Sequence, residues 1–168
     1  MKQLYIKQKV FSLSGRFTVK DQQENDVYVV EGSFMKMPKT FTIMNTKRDE
    51  IAVITKKMFS LLPKFLVEVN GQEVLTIKKE FTFFKAKYSI DAAGIEVRGN
   101  WWDMNFQVLQ NGEVIGQVNK EWFTWGDSYK VDILKEEMEP LMVALVVAID
   151  CVKADEAASR SSSSTPPN

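Results

Sequence analysis

The sequence has no histidine among its 168 residues, and its one cysteine is Cys151. Histidine is the commonest general acid or base near neutral pH, so its absence excludes Ser/His/Asp and Cys/His catalytic sites and histidine-based zinc sites. A lone cysteine cannot form an intrachain disulfide or a cysteine-rich metal cage. We therefore expect no catalytic residues, no metal site and no cofactor, and the cysteine content is consistent with a reducing compartment.

The chain also lacks an excess of either charge, because Lys plus Arg and Asp plus Glu each number 22. No overall electric field draws such a protein towards nucleic acid or an anionic membrane. Any site for an anion must therefore be a local patch, and we expect no nucleic-acid partner.

Long hydrophobic runs are missing as well. The longest uninterrupted apolar run, 141–149, is well short of the roughly 20 residues that cross a bilayer. Near the N-terminus, Lys2, Lys7 and Lys9 interrupt any apolar stretch before it reaches the length of a signal-peptide core. The sequence thus predicts a cytoplasmic protein without a secretion signal that is not integral to the membrane.

The sequence does contain enough apolar surface for one sizeable core, since 45% of its residues are hydrophobic and 11% are aromatic. Up to about residue 133 it consists of short β-branched and aromatic segments, separated by turns rich in Gly, Asn, Asp and Lys at hairpin spacing. The alternation within these segments predicts about twelve strands. Their approximate ranges are 3–8, 16–21, 26–32, 40–44, 50–57, 65–69, 72–79, 86–91, 94–98, 104–109, 114–120 and 127–133.

Two Asn-Gly pairs mark hairpin turns, because this dipeptide supplies the positive φ angles of a type I′ turn. They are Asn70–Gly71 and Asn111–Gly112, and aligning them reveals an internal repeat with an offset of 41 residues. In this repeat Tyr88 aligns with Tyr129, which suggests that both occupy the same structural position. Other matched positions are Val67 and Val108, Ile77 and Val118, Lys79–Glu80 and Lys120–Glu121, and Asp91 and Asp132.

The C-terminal part predicts one hydrophobic helix over about 139–153. Pro140 suits the first turn of a helix, and the glutamates beside it complement the positive end of the helix dipole. Every face of the segment 141–152 is apolar except at Asp150, so other elements must surround the helix. The residues expected to form its buried surface are Leu141, Val143, Ala144, Leu145, Val147, Ala148 and Ile149.

In a chain of strands, the natural enclosure for such a helix is a barrel, which also removes exposed sheet edges. We predict a mainly β protein: a closed antiparallel barrel of about twelve strands around a central hydrophobic C-terminal α-helix, in a single domain over 1–154. The remaining segment, 155–168, is rich in serine and proline and has no apolar residue larger than alanine apart from its prolines. This tail is expected to be disordered.

Twelve strands followed by one uniformly hydrophobic helix resemble the tubby C-terminal-like fold, and the sequence is similar to bacterial-type members of the LURP-one-related family. The similarity covers about residues 2–153. It is carried by the opening MKQLYIKQKVFSLSGRFTV, YVVEG at 28–32, GIEVRGNW at 94–101, DSYKV at 127–131 and AID at 148–150.

The resemblance implies a twelve-stranded barrel with the helix threaded through it. It also implies a remote kinship with tubby proteins and phospholipid scramblases, and a family without an established enzymatic activity. Tubby-type domains bind phosphoinositides, but no motif of this sequence matches such a site. No binding residues are therefore carried over, and lipid binding rests on analogy.

A local basic patch is the best candidate for an interface. It consists of five lysines interleaved with Phe and Met residues, and it could contact an anionic lipid headgroup. The lysines are Lys36, Lys39, Lys56, Lys57 and Lys64, and the interleaved residues are Phe34, Met35, Met58 and Phe59. The alternative, favoured by the balanced charge, is that these are solvated lysines at strand ends and in loops.

Other conspicuous residues have simple structural interpretations. Asp150 could be a buried functional acid, but a hydrogen-bonded or lysine-paired carboxylate near the barrel mouth is the simpler interpretation. Cys151 is most simply a small buried hydrophobe. Packing in a narrow barrel explains the tryptophans better than a binding platform does, and these are Trp101, Trp102, Trp122 and Trp125.

These observations favour a non-enzymatic binding or scaffold domain at the membrane surface that contacts anionic or phosphoinositide lipid headgroups. The alternative from another class is a protein-interaction module without lipid binding. An enzyme or a small-molecule carrier would need a pocket, and a barrel interior filled by the helix argues against one. The expected partner is thus an anionic membrane lipid or a protein, and the expected location is the cytoplasm, peripheral at the membrane.

Overall fold

Alternating apolar and polar residues form strands along most of the chain. The structure is a computed structural model that describes residues 1–7, 15–33, 38–57, 59–81, 87–123 and 126–162. All twelve predicted strands are present in these ranges, with ends that differ from the prediction by no more than a few residues. They are β1 (Lys2–Lys7), β2 (Arg16–Lys20), β3 (Asp26–Gly32), β4 (Thr40–Asn45), β5 (Glu50–Lys57), β6 (Lys64–Val69), β7 (Gln72–Glu80), β8 (Lys87–Asp91), β9 (Ile95–Asn100), β10 (Asn105–Gln110), β11 (Glu113–Phe123) and β12 (Gly126–Ile133).

The described strands form one antiparallel sheet that curves into a nearly closed barrel. Strands adjacent in sequence pair along the sheet, and β1 pairs with β12, with Leu4 opposite Val131. The two sheet edges are β8 and β9, which are consecutive in the chain but share no backbone ladder among the described residues. Across this seam the rings of Tyr88 and Trp102 stack with centroids 5.4 Å apart.

Both Asn-Gly turns have the backbone geometry that the sequence predicts. Asn70 and Gly71 connect β6 to β7 with φ angles of 51° and 75°. Asn111 and Gly112 connect β10 to β11 with φ angles of 51° and 85°. Positive φ at both central residues matches the twist of a two-residue hairpin, so these turns help to set the register of the two halves of the repeat.

The helix α1 (Glu139–Ser162) follows a short 3-10 helix (Glu136–Met138) and fills the interior of the barrel. Every residue over 141–152 is buried, and these side chains pack with inward-facing strand residues such as Ile54 and Tyr129. All seven residues that were predicted to form the buried helix surface are in this core. Within the described part of the chain, no helix combines the length and apolar character needed to cross a membrane.

The predicted C-terminal end of the helix, near residue 153, was wrong. α1 continues to Ser162, through part of the segment that its composition predicts to be disordered. The helix continues because Asp155 and Glu156 lie against the barrel and pair with lysines of the sheet. Residues 163–168 of the predicted tail lie outside the described residues.

Gly116 of β11 leaves room for the side chain of Met142 from α1. A Cβ atom at this position would lie 2.6 Å from Cε of Met142 and 2.8 Å from the backbone oxygen of Asp132. The matching position in the other half of the repeat is Leu75, which is buried in the core. The two halves of the repeat therefore differ at a position where an added side chain would meet Met142 of the helix.

Candidate functional site

Lysines collect at the rim of the barrel where β5 and β7 end and where the last turns of α1 lie. Successive side chains of a strand point to opposite faces. Because Ile54 is fully buried, Lys56 faces the barrel interior and Lys57 faces outward. In β7, Lys79 faces inward and Lys78 outward. The rim thus has separate outer and inner groups of lysines.

The outer group is a row of three lysines on neighbouring strands, which we call the outer lysine row: Lys57, Lys64 and Lys78. Lys57 lies directly opposite Lys64, and Lys64 lies directly opposite Lys78. Like charges in opposite positions destabilise a sheet. Lys78 has a distant partner in Asp91, at 3.8 Å, and among the described residues no carboxylate lies within 4 Å of Lys57 or Lys64. This row therefore concentrates positive charge, which Asp91 compensates at Lys78 only.

Beside the outer lysine row, the connection between β5 and β6 exposes apolar side chains. Phe59 and Leu61 are fully exposed to solvent, and Phe81 at the end of β7 is three-quarters exposed. Large apolar side chains that share an exposed surface usually mark a contact site. The rim thus combines cationic and apolar groups, with Phe59 and Leu61 lying in sequence between Lys57 and Lys64.

The inner group binds the end of α1. Nζ of Lys56 lies 2.5 Å from Oδ1 of Asp155, and Nζ of Lys79 lies 2.8 Å from Oε2 of Glu156. Tyr88 also donates its hydroxyl hydrogen to Oε2 of Glu156, at 2.7 Å. Burial alone would raise the pKa of Glu156, but the hydrogen bonds from these side chains outweigh it and lower the pKa to about 2. Glu156 is therefore ionised at neutral pH.

Lys39 completes this inner group, which we call the inner lysines: Lys39, Lys56 and Lys79. The backbone oxygen of Lys39 accepts a hydrogen bond from the backbone N–H of Lys56 at 2.9 Å, so the two residues are opposite each other. The ammonium of Lys39 lies 5.5 Å from the ring centroid of the buried Phe41. Lys56 and Lys79 thus contact the last turns of α1, and Lys39 lies beside Lys56 on the residue before β4.

The opposite end of the helix is held in a similar way. Glu139, the first residue of α1, accepts hydrogen bonds from Lys2 and from the hydroxyl of Tyr28, each at 2.7 Å. Burial, followed by the hydrogen bond to Glu139, raises the pKa of Tyr28. A tyrosine and a lysine from neighbouring parts of the sheet thus bind a glutamate at each end of the helix.

Asp150, which the sequence predicts to be a hydrogen-bonded or lysine-paired carboxylate near the barrel mouth, is buried and hydrogen-bonded. Tyr129 donates its hydroxyl hydrogen to Oδ1 at 3.2 Å, while Oδ2 is buried without a partner among the described residues. Burial raises the pKa of Asp150 to about 6, although the hydrogen bond from Tyr129 and the charge of Lys153 oppose this shift. The ammonium of Lys153 lies 5.9 Å from the centroid of the Tyr129 ring.

Cys151 is buried, as predicted, and burial raises the pKa of its thiol. A thiol held in its protonated form is a poor nucleophile. In the described ranges, no group of three Cys, Asp or Glu side chains is arranged to hold a metal ion. The interior of the barrel thus contains packed apolar side chains and the isolated carboxylate of Asp150.

Two of the four tryptophans have described side chains, and both support a packing role. Trp101 and Trp102 are half-buried against the core, and their rings meet edge to face with centroids 5.6 Å apart. The side chain of Trp122 and the whole of Trp125 lie outside the described residues.

The predicted basic patch is divided between the two faces of the sheet. Lys57 and Lys64 belong to the outer lysine row, whereas Lys39 and Lys56 are inner lysines. Lys36 lies outside the described residues, as do Phe34, Met35 and Met58. The residues that sequence reasoning missed are Leu61, Lys78, Lys79, Asp155 and Glu156.

The sequence contains a signal for two of these residues, Lys78 and Lys79. The pair Lys78–Lys79 ends β7 as Lys56–Lys57 ends β5, so the second pair could have been assigned to the same rim. The role of Asp155 and Glu156 had no comparable local signal, because it depends on contacts with strands far away in sequence.

Comparison with known proteins gives concordant results. The sequence model of the LURP-one-related family matches residues 2–150. The uncharacterized protein YxjI of Bacillus subtilis (strain 168) is 32% identical over 152 residues, which cover 90% of this chain and 94% of that protein. The X-ray structure of a protein from Arabidopsis thaliana shares the fold, with a TM-score of 0.60 and 14% identity over 90% of this chain and 91% of the other.

Proposed function

This chain belongs to the LURP-one-related family, and we propose that it is a non-enzymatic binding domain that docks on anionic membrane surfaces. The observation that carries this proposal is the pair of fully exposed side chains, Phe59 and Leu61, beside the outer lysine row. Apolar side chains that enter the headgroup region and lysines that contact anionic headgroups are the usual components of peripheral membrane attachment.

The magnitudes are those of reversible attachment. Removing Phe59 and Leu61 from water would contribute roughly 1.5–3 kcal/mol each. Each lysine close to an anionic leaflet would contribute about 1 kcal/mol. These gross terms must offset the loss of translational and rotational freedom, about 4–15 kcal/mol. We therefore expect weak binding that decreases as salt increases.

The charge along β5 to β7 supports one orientation of the docked protein. The end of this face opposite the outer lysine row carries Glu50, Glu68 and Glu73, with Glu68 directly opposite Glu73. Among the described residues, no cation lies within 4 Å of these carboxylates. An anionic surface attracts the lysine end and repels the glutamate end, so the protein would stand on the rim that carries Phe59.

The filled interior supports binding at a surface over binding in a cavity. The side chains of α1 over 141–152 occupy the space that a carrier or an enclosed active site would need. Contact at the rim needs no such space. The non-enzymatic part of the proposal rests on this packing and on the absence of histidine from the sequence.

The proposal is tested by co-sedimentation with vesicles of phosphatidylcholine alone or mixed with phosphatidylserine, at low and moderate salt. We expect binding to the mixed vesicles only. Lys57→Glu combined with Lys64→Glu should weaken it by more than about tenfold. Phe59→Ser combined with Leu61→Ser should weaken binding at every salt concentration, because it removes the apolar contribution.

A matched control is Lys20→Glu combined with Lys47→Glu, which changes the net charge equally at the opposite end of the barrel. This variant should bind as the native chain does. Equal weakening by both pairs of substitutions would show that charge acts without a located site. No binding under any condition would refute membrane docking and would favour a protein-interaction module.

A further inference from the structure

The inner lysines are arranged as an anion-binding site that the chain itself occupies. Nζ of Lys56 and Nζ of Lys79 lie 2.5 and 2.8 Å from carboxylate oxygens of Asp155 and Glu156. The hydroxyl of Tyr88 points at the same Glu156 oxygen that Lys79 contacts. Ammonium and hydroxyl groups that converge in this way are donors of the kind that bind phosphate or carboxylate oxygens.

The two carboxylates differ in how well they satisfy this site. Glu156 accepts hydrogen bonds from Lys79, Tyr88 and Arg160. Asp155 uses Oδ1 for Lys56, but its Oδ2 is buried without a partner among the described residues. A buried oxygen without a partner has a free-energy cost. The Asp155 half of the contact is therefore the half that another anion could replace at lower cost.

The site also adjoins the surface that we propose contacts the membrane. Lys56 and Lys57 are consecutive residues of β5, and Lys79 and Lys78 are consecutive residues of β7. A headgroup bound at the outer lysine row would thus lie one residue along the strand from the inner lysines. Lys39, which is exposed at the rim, has no carboxylate within 4 Å among the described residues.

We infer that the rim holds a latent anion-binding site, formed by the inner lysines and Tyr88 and closed by Asp155 and Glu156, which an anionic headgroup opens by displacing the end of α1. The assignment of this anion to a membrane lipid rests on the proposed function. Because the carboxylates are part of the chain, their effective concentration at the site is high. A dilute soluble anion is therefore excluded from the site. The phosphate groups of a membrane surface are dense enough to compete with the two carboxylates.

The test removes the chain's own anions with Asp155→Asn and Glu156→Gln. The matched control is Glu113→Gln with Glu121→Gln, which makes the same change in charge at carboxylates that pair with Lys135 and Lys130 instead. The first variant should bind phosphatidylserine-containing vesicles about tenfold more tightly than the control. Equal affinities of the two variants would overturn the inference.

The contribution of Lys56 gives a sharper comparison. Lys56→Gln should weaken vesicle binding by about fivefold in the Asp155→Asn, Glu156→Gln background, where the lysine is free. In the native background the same substitution should have a smaller effect, because it removes the Asp155 contact of the closed state together with the headgroup contact of the open state. Equal effects in both backgrounds would show that the helix end does not close the site.

Two further measurements apply even where the variants fold poorly or the membrane proposal fails. Hydrogen exchange of the native chain over 154–162 should accelerate on phosphatidylserine-containing vesicles, and unchanged or slower exchange of a bound chain would overturn displacement. Inorganic phosphate should raise the melting temperature of the Asp155→Asn, Glu156→Gln variant and leave the control unchanged. Stabilisation by phosphate without vesicle binding would refute membrane docking alone, and vesicle binding without either effect would refute the latent site alone.

Discussion

Two tyrosines at matching positions of the internal repeat donate hydrogen bonds to carboxylates of the same helix, with opposite consequences for proton binding. Tyr88 donates to Glu156, and Tyr129 donates to Asp150. Glu156 also binds Lys79, so its pKa falls to about 2. Asp150 is more deeply enclosed and has one hydrogen bond among the described residues, so burial raises its pKa to about 6. The depth of burial and the further hydrogen bonds to Glu156, not the shared tyrosine, decide the direction.

The raised pKa of Asp150 predicts how stability depends on pH. The folded-state pKa, about 6, lies above the ordinary value of 3.8, so the folded state binds the proton more tightly. This contribution is fully present below about pH 4 and is lost as pH rises through 6, with a total change of about 3 kcal/mol. Asp150→Asn should therefore be more stable than the native chain at pH 7.5. This difference in stability should be smaller at pH 5.

Urea unfolding at pH 5 and pH 7.5 measures this difference. Relative to Asp150→Asn, the native chain should lose roughly 1–1.5 kcal/mol of unfolding free energy between the two pH values. Glu156 does not affect this comparison. Because folding lowers its pKa, its contribution to stability is lost only as pH falls from about 4.5 towards 2. Parallel pH dependence in both proteins would contradict the burial of an ionised Asp150.

Strand alternation made part of the candidate site predictable from individual residues. Because neighbours in a strand face opposite ways, Lys56 and Lys57 could not both belong to one surface patch if residues 50–57 form a strand. The pairing of Lys64 with Lys78 could not be predicted in the same way. It depends on the register of β6 and β7, which includes a shift after Val67.

At the scale of elements, the strands were more predictable than the end of the helix. The strands follow from alternation and from turns such as Asn70–Gly71, which are local signals. The helix continues past residue 153 because Asp155 and Glu156 bind strands that are distant in sequence. A segment of small and polar residues does not reveal such contacts, so its composition predicted disorder instead.

Truncation separates the stabilising part of the helix end from the remaining tail. A chain that ends at Ser162 should unfold at the same urea concentration as the full chain. A chain that ends at Ala154 loses both carboxylates and leaves Lys56, Lys79 and Tyr88 without their partners, which should cost about 1–3 kcal/mol. Equal stability of the two truncated chains would show that residues 155–162 do not support the barrel.

At the scale of the whole molecule, a net charge of zero conceals an uneven distribution of charge. The outer face of β5 to β7 has the outer lysine row at one end and Glu50, Glu68 and Glu73 at the other. Net charge alone favours solvated lysines over an interface. The order of charges along the strands, together with the exposed Phe59 and Leu61, supports docking of one end on an anionic surface.

The most direct test of this account attaches an environment-sensitive fluorophore to Ser60→Cys, between Phe59 and Leu61. Cys151 is buried, so the new thiol is the one available for labelling in the folded chain. Phosphatidylserine-containing vesicles should shift the emission to shorter wavelength, and neutral vesicles should not. The same label on Lys47→Cys, at the opposite end of the barrel, should remain in water. An unshifted label at position 60, or an equal shift at position 47, would contradict docking through the rim that carries Phe59 and Leu61.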